Sequence, residues 1–422
     1  GELGELEVPD SLAALLNARL DALSESSKRV AQTAAVIGRS FDFDIIASVF
    51  EPLDILEGAL KDLQRRGLVR EKSRRPVHEF VFKHMLTRDA AYESLLLRDR
   101  RTMHAAVAEA LVRLTPDRVS EIASHFVAAR ENGKALPWLV DAGDIAARAH
   151  ATEEAIQAYG KAIEIVESGV DDIALARRAF EGRGNMLQMT GRMDEAIANY
   201  ESMKHYAADR GGGSMQVSAM NKIGLARTFM GQLELAENWL DEADEKAHAV
   251  QCSAGLAESS MYRCFIYTAQ GQFQDANDAL ERAAELGQQL QAEEPRLFGL
   301  AHIANTLIEM TEFEAARDAI ATALDEAERY GNKRWLAELL TFPKPTLQMR
   351  DGDFAGMIET VTQGLELARS IGHPFARANG ALNLGAVAGL QGRFEEAIAL
   401  NEEALEAANR TGFAMMQSMA LC

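Results

Sequence analysis

A short phrase returns six times along this chain at a nearly constant interval, and that rhythm limits the possible folds more than any other feature. It reads TGRMDEAIANY from Thr190, MGQLELAENWL from Met230, QGQFQDANDAL from Gln270, MTEFEAARDAI from Met310, RDGDFAGMIETV from Arg350 and QGRFEEAIAL from Gln391. The turn residues Gly191, Gly231, Gly271, Thr311, Gly352 and Gly392 are spaced 40, 40, 40, 41 and 40. A fixed period of this size marks supersecondary units stacked in a row, each covering the apolar face of the next. Five residues after the turn stand Ala196, Ala236, Ala276, Ala316, Met357 and Ala397; nine after it stand Tyr200, Leu240, Leu280, Ile320 and Val361, with Leu400 a residue early in the last copy. Twelve after it come Met203, Ala243, Ala283, Ala323, Gly364 and Ala404. Steps of four and three put these positions on one stripe of a helix. Seven before the turn, Gly184, Gly224, Cys264, Ala304, Pro345 and Gly385 are the matching small positions of a preceding helix. Each unit is therefore expected to be helix A, a turn, then helix B, with small residues letting the two approach closely.

This pattern resembles the tetratricopeptide repeat, lengthened to about 40 residues. Earlier helical pairs can be read in EIASHFVAARENGKALPWLVDAG and in TEEAIQAYGKAIEI, where Ala155, Tyr159 and Ala162 occupy the same stripe. The resemblance implies a solenoid over residues 115–422 with ligands touching helix A nine, six and three residues before the turn. Those positions supply Asn185, Gln188, Lys222, Tyr262, Phe265, His302, Asn305 and Asn383, which together form a candidate groove for a segment of protein or peptide, or for the protein's own N-terminal domains. One copy breaks the rule. In WLAELLTFPKPTLQM, Pro343 and Pro345 fall inside helix A, where a proline removes a backbone donor and costs about 3 kcal/mol, so a kinked or split helix is expected.

Charge follows the same division. Residues 1–114 hold 17 Lys/Arg and 18 Asp/Glu, leaving 27 and 46 of the chain's 44 and 64 for the remainder, a net of −19. An acidic array repels polyanions, which argues against nucleic acid as its partner. No apolar run approaches the roughly 18 residues of a membrane span. The three cysteines (Cys252, Cys264, Cys422) lack metal-type spacing and suit a reducing compartment, as structural thiols. The Gly-rich loop DRGGGSM from Asp209 lacks the GK[ST] of a phosphate cradle, and no HExxH, CxxC or nucleophile elbow occurs, so no catalysis and no metal site are expected. The opening GELGELEVPD has no initiator Met or targeting signal, and the sequence is expected to be a piece of a longer protein.

Before residue 114 the period disappears. PDSLAALLNARLDAL reads as a helix entered at Pro9 and Asp10, with Leu12, Leu15, Leu16, Leu20 and Leu23 on one face. A second helix is capped by Ser24 and stops at Gly38; DFDIIASVF is a short third; PLDILEGALKDLQRRG carries Leu56, Leu60 and Leu63 and stops at Gly67. LVREK and HEFVFKH alternate like two strands around SRRP, and two helices follow. This is a winged-helix order. Its basic stretch, including Arg65, Arg66, Arg74 and Arg75, raises DNA contact, but many winged helices are packing modules and a solvated or intramolecular surface is the expectation, with nucleic acid not expected as a partner.

The strings VPDSLAALLNARLDALSESSKRVAQTAAVIGRSFDFDII, LKDLQRRGLV and FVFKHMLTRDAAYESLLLRDRRTMHAAVAEAL together resemble the end of the ATPase module in bacterial signal-transduction ATPases with numerous domains. The variant most similar is the one behind class III adenylate/guanylate cyclases, with LuxR-type transcriptional activators as relatives. The resemblance implies a mainly α protein, with residues 1–114 a winged-helix head and 115–422 a tetratricopeptide-like solenoid. It implies a cytoplasmic regulatory region whose missing core would bind ATP or ADP with Mg. It also implies that His84, where EFVFKH gives way to a helix, reaches the bound nucleotide's phosphates, assisted by Thr87 and Arg88.

Overall fold

The computed structural model describes the backbone of residues 10–149 and 151–411 and the side chains of 16–149 and 151–408. Pro9 and Cys422, named above, lie outside those described residues, as do the side chains of Leu12 and Leu15. The chain divides into two compact units, the first comprising residues 1–149 and 157–176, the second 150–156 and 177–422.

The first unit runs α1 (Asp10–Asp21), α2 (Glu25–Ile37), β1 (Ser40–Asp42), α3 (Phe43–Val49), α4 (Leu53–Arg65), β2 (Val69–Ser73), β3 (Glu79–Phe82), α5 (Met85–Glu93), α6 (Leu97–Leu114), α7 (Val119–Ala129), α8 (Asn132–Arg148) and most of α9 (Thr152–Glu167). Helix α2 starts where Ser24 Oγ accepts the Ser27 N–H at 3.2 Å, and α4 ends before Gly67, whose φ of 72° suits a residue without Cβ. Leu56, Leu60 and Leu63 of α4 are buried against Val30 and Ala34 of α2 and the rings of Phe41, Phe80 and Phe82.

Two strands were expected here and three are present. The sheet order is β1-β3-β2, antiparallel, with Phe41 opposite Phe80 and Val69 opposite Phe82. The three residues of β1 are too few to show an alternation in sequence, and the strand exists because β3 offers its free edge. Asp42 then holds Arg118 at 2.5 Å, fastening the strand to the start of α7. In α8 and α9, Gly143 faces the ring of Tyr159 so closely that a Cβ would lie 2.5 Å from it.

The second unit continues with α10 (Ile173–Met189), α11 (Met193–Asp209), α12 (Gly213–Phe229), α13 (Leu233–Ala249), α14 (Ser253–Ala269), α15 (Phe273–Gln289), α16 (Glu293–Glu309), α17 (Phe313–Tyr330), α18 (Lys333–Thr341), α19 (Pro343–Arg350), α20 (Phe354–Ile371), α21 (Pro374–Leu390) and α22 (Phe394–Thr411). Even-numbered helices up to α16 are the A helices and odd-numbered ones their B partners, the order expected from the period. The turn residues carry φ values of 63° to 78°, so Thr311 bears a left-handed conformation that glycine takes freely in the other copies. Ala196, Tyr200 and Met203 and their counterparts Ala236, Leu240 and Ala243 are fully buried.

The expected break is also present. Phe342 (φ −130°, ψ −77°) separates α18 from α19, so the fifth A helix is two short helices. In the last copy the position nine after the turn belongs to Asn401, not Leu400: a Cβ on Gly385 would meet Asn401 Oδ1 at 2.5 Å.

Candidate functional site

The A helices pack on one another along the second unit, α12 on α14 and α14 on α16. The side-chain contacts of the expected groove residues on them fall into a polar half and an aromatic half. In the polar half, Lys222 Nζ lies 3.3 Å from Glu258 Oε1, the Tyr262 hydroxyl donates to the same oxygen at 3.0 Å, and Asn221 Nδ2 donates to Gly255 O at 2.9 Å and Glu258 Oε2 at 3.3 Å. Ser218 donates to Glu181 at 2.9 Å, and Glu181 also holds Arg177 at 2.8 Å. Burial, the largest single influence, disfavours the Lys222 ammonium, yet Glu258, Tyr200 and Glu181 together outweigh it and the lysine's pKa goes up; burial and then Glu258 push the Tyr262 phenol well up. The groove side chains therefore neutralise one another instead of standing open. Among the polar atoms left unpartnered here are the fully buried Oδ1 of Asn221, Gln188 Nε2 and the Oγ of Ser259. Asn185 is exposed and accepts the Tyr200 hydroxyl at 3.1 Å.

The aromatic half is a continuous run of rings. Phe265 lies 6.1 Å from Phe229, 5.9 Å from Phe298 and 6.1 Å from His302; His302 in turn is 4.2 Å from Phe298 and 6.4 Å from Trp335. Burial, with a smaller push from Arg334, lowers the His302 pKa to about 4, so its ring is neutral at pH 7. The Trp335 indole donates to Glu294 Oε2 at 3.0 Å. The side chain of Asn305 makes no hydrogen bond.

Asn383 does something the groove reading did not anticipate. Pro345 has no N–H for the carbonyl four residues back, which is Thr341, and Asn383 Nδ2 fills the gap at 3.0 Å. This side chain thus seals the broken helix. We expect Asn383→Ala to lower the stability of the second unit by about 1–2 kcal/mol, the usual cost of an orphaned buried acceptor. Asn379→Ala, one turn earlier, should cost less than about 0.5 kcal/mol, because Asn379 Nδ2 has no partner to lose. Denaturant titration of the two variants decides it.

In the first unit His84 is exposed and caps α5 without a side-chain hydrogen bond. Arg88 is committed within the unit: Nε donates to Ala35 O at 2.9 Å, Nη1 sits 3.0 Å from Asp89, and the guanidinium covers Tyr92 at 5.0 Å. Thr87 is buried with its hydroxyl unpartnered. Tyr92 and His104 meet at 3.0 Å and join α5 to α6, and the series continues: His104 Nδ1 lies 2.8 Å from Nδ1 of His125 in α7.

Glu258, Asn221, Phe298 and Trp335 were not expected from the sequence. Glu258 and Phe298 lie thirteen residues before their turns, one helical step beyond position nine, where extending the stripe would have reached them; Asn221 lies ten before its turn, next to Lys222 and off the stripe. Trp335 is displaced by the break. Among the described residues no cluster of ligating side chains could hold a metal, and no helix is long and apolar enough to cross a membrane.

No family model matches this chain, and no curated protein matches it. Solved structures do. A signal transduction ATPase with numerous domains carrying a tetratricopeptide repeat sensor, from Pyrococcus horikoshii, superposes with a TM-score of 0.54 at 12% identity, over 97% of this chain and 64% of its own. A Rap protein complexed with Competence and Sporulation Factor gives 0.52 at 12% identity, over 96% and 99%. The apo quorum sensor NprR from B. thuringiensis gives 0.51 at 15%, over 84% and 93%. This chain thus spans under two thirds of the archaeal ATPase. At such identities the likeness speaks for the fold, and by fold the chain is a tetratricopeptide-like α-solenoid of tandem helix pairs.

Proposed function

We propose that this chain is the regulatory, partner-sensing region of a cytoplasmic multidomain signalling ATPase. Residues 1–114 would be the winged-helix end of its nucleotide-binding module, and the array would be the sensor. The observation that carries this reading is the superposition on an ATPase with a repeat sensor across 97% of the chain. The order of elements in the head, helix-strand-helix-helix-strand-strand from α2 to β3, supports the winged-helix assignment. The resemblance of the head sequence favours a class III adenylate/guanylate cyclase as the parent, with a LuxR-type activator second. The chain itself would carry no reaction; ATP or ADP and Mg would belong to the parent's core.

The sensing surface would be the A-helix face, and its ligand an extended protein or peptide segment. Beside the Rap protein and NprR, a Rap conjugation gene regulator solved in complex with the Phr* peptide makes a peptide the favoured class. Their near-complete overlap with this chain also keeps a free-standing peptide-responsive regulator or scaffold as the second reading. Binding would act by shifting a pre-existing equilibrium between inactive and active arrangements of the parent.

Within the head, His84 is the residue that would contact the nucleotide's phosphates. It is solvent-facing and unused, whereas Arg88 is held by Ala35, Asp89 and Tyr92. The test is ADP retention by the full-length parent after gel filtration. His84→Ala should release ADP that the wild type keeps; equal retention removes His84 from the mechanism, and a parent with no nucleotide in either form sinks the ATPase reading.

A further inference from the structure

Charge in the second unit is sorted by helix. The A helices α10, α12, α14, α16, α18, α19 and α21 hold 12 Lys/Arg and 6 Asp/Glu, whereas the B helices α11, α13, α15, α17, α20 and α22 hold 7 and 26. The excess acid of the array is therefore carried by the B helices. Successive A helices pack on one another and successive B helices do not in that way, so clefts open between B helices. One cleft, of about 350 Å³, lies between α13 and α15 over α14, and Asp244, Ser260, Arg263, Asp275, Asp278 and Arg282 line it. Arg263 is spent, 2.7 Å from Asp241 and 3.0 Å from Asp244. Arg282 is exposed, so its long side chain can turn to water. The acceptors of the cleft are not spent. Asp275 is exposed and has no hydrogen bond or ion pair among the described residues; Asp278 accepts Gln274 Nε2 at 2.8 Å through Oδ1, and no hydrogen bond uses Oδ2. Ser260 is only 4% exposed, yet its hydroxyl finds no partner among the described residues. A nearly buried hydroxyl is ordinarily bonded, and this one is left to a donor that enters the cleft.

The first unit carries the converse. From Lys61 to Arg75 stand seven Lys/Arg and two Asp/Glu. Five of these cations are paired locally: Lys61 with Glu57, Arg65 and Arg66 with Asp62, Lys72 with Glu79 and Arg74 with Glu71. The guanidiniums of Arg70 and Arg75 have no partner among the described residues, and Arg75 is exposed in the turn between β2 and β3, the part of a hairpin able to enter a cleft. We propose that this turn of one copy docks in the cleft between α13 and α15 of a second copy, with Arg75 entering it. Its planar fork of N–H donors meets the acceptors that lack them, the carboxylates of Asp275 and Asp278 and the Ser260 hydroxyl. A volume of about 350 Å³ holds a whole arginine side chain. The acid of the B helices steers the basic strip toward it. One chain carries both the unpaired cation and the unpaired acceptors, and this selects a second copy over an unrelated basic protein. Because the two surfaces differ, each copy keeps a free turn or a free cleft, and association continues into rings or open chains.

Sedimentation velocity of the full chain reads the contact. At about 50 mM salt the weight-average sedimentation coefficient should rise with protein concentration; at about 500 mM the rise should vanish, because surface charges are then screened. Arg75→Glu and Asp275→Lys, both at exposed positions, should each weaken association at least about tenfold. The decisive arm mixes these two variants. The first keeps an intact cleft and the second an intact turn, so the mixture should form a heterodimer that grows no further, while each variant alone stays monomeric. That result also shows that both variants are folded. Ser260→Ala should weaken association about threefold without lowering stability, since the hydroxyl has no partner to lose in the free chain. A chain that stays monomeric at low salt, association indifferent to salt, variants that associate as the wild type does, or a mixture that remains monomeric would each overturn the proposal. So would a salt-dependent change of shape that is independent of concentration, the mark of a contact within one chain.

Discussion

Acidification from pH 6.5 to 4 should unfold the first unit well before its carboxylates are exhausted. His104 and His125 are buried (8% and 7% exposed) and share one proton across 2.8 Å between their Nδ1 atoms, while Tyr92 meets His104 Nε2 at 3.0 Å. Burial, then Arg88 and Arg100, push His104 down to about 4; burial, then His104 and Arg88, push His125 down to about 4. A lowered histidine pKa means the unfolded chain binds the proton first. Stability is therefore complete above the unfolded value of about 6.5 and is lost as pH falls through the folded value. The two rings titrate as one coupled pair, so the loss is on the order of a few kcal/mol for the pair together, a large share of what a domain of this size has to lose. The measurement is denaturant unfolding of the first unit, read from its own amide resonances, at half-unit pH steps. The expected curve falls steeply between pH 6 and 4. Replacing both partners, His104→Phe with His125→Leu, should flatten that segment; an equally steep fall in the double variant would assign the acid sensitivity to other groups.

The second large effect lies where helix A meets helix B in the first full copy of the period. Gly184 faces the fully buried ring of Tyr200, and a Cβ there would lie 2.3 Å from Tyr200 Cζ. The ring cannot retreat, because its hydroxyl is tied to Asn185 and the interior around it is closed. Gly184→Ala should therefore cost about 2–3 kcal/mol, the range for overpacking a closed site. Tyr200→Leu alone should cost a similar amount through the void it leaves. Together they should cost clearly less than the sum, with a coupling of at least about 1 kcal/mol, because the array already sets Ala304 opposite Ile320 and Cys264 opposite Leu280. Additive losses in urea titrations would show that the two residues do not share one packing problem.

Both predictions mark the limit of what could be read in advance. The Gly184–Tyr200 pair was visible in the sequence, since its members sit seven before and nine after Gly191, as in every other copy. The His104–His125 pair was not: each histidine alone is indistinguishable from a residue on a helix face, and nothing local brings α6 against α7 in that register. The candidate groove divides in the same way. Its positions on helix A followed from the period. That Lys222 would be neutralised by Glu258, or that Asn383 would be spent on the carbonyl left by Pro345, could not be inferred from spacing.

By itself the amino-acid order determined the helix pairs, their turns, the small-against-large contacts within each pair and the break at Pro343 and Pro345. All of these are local consequences: helical periodicity, a left-handed turn best suited to glycine, a missing N–H. Tertiary structure alone decided which polar groups meet, that three residues would become β1, and that a notch of rings would open beside Phe342. Those outcomes depend on how helices from different copies stack and on which groups stacking removes from water, and a buried charge or donor takes whatever partner that geometry supplies.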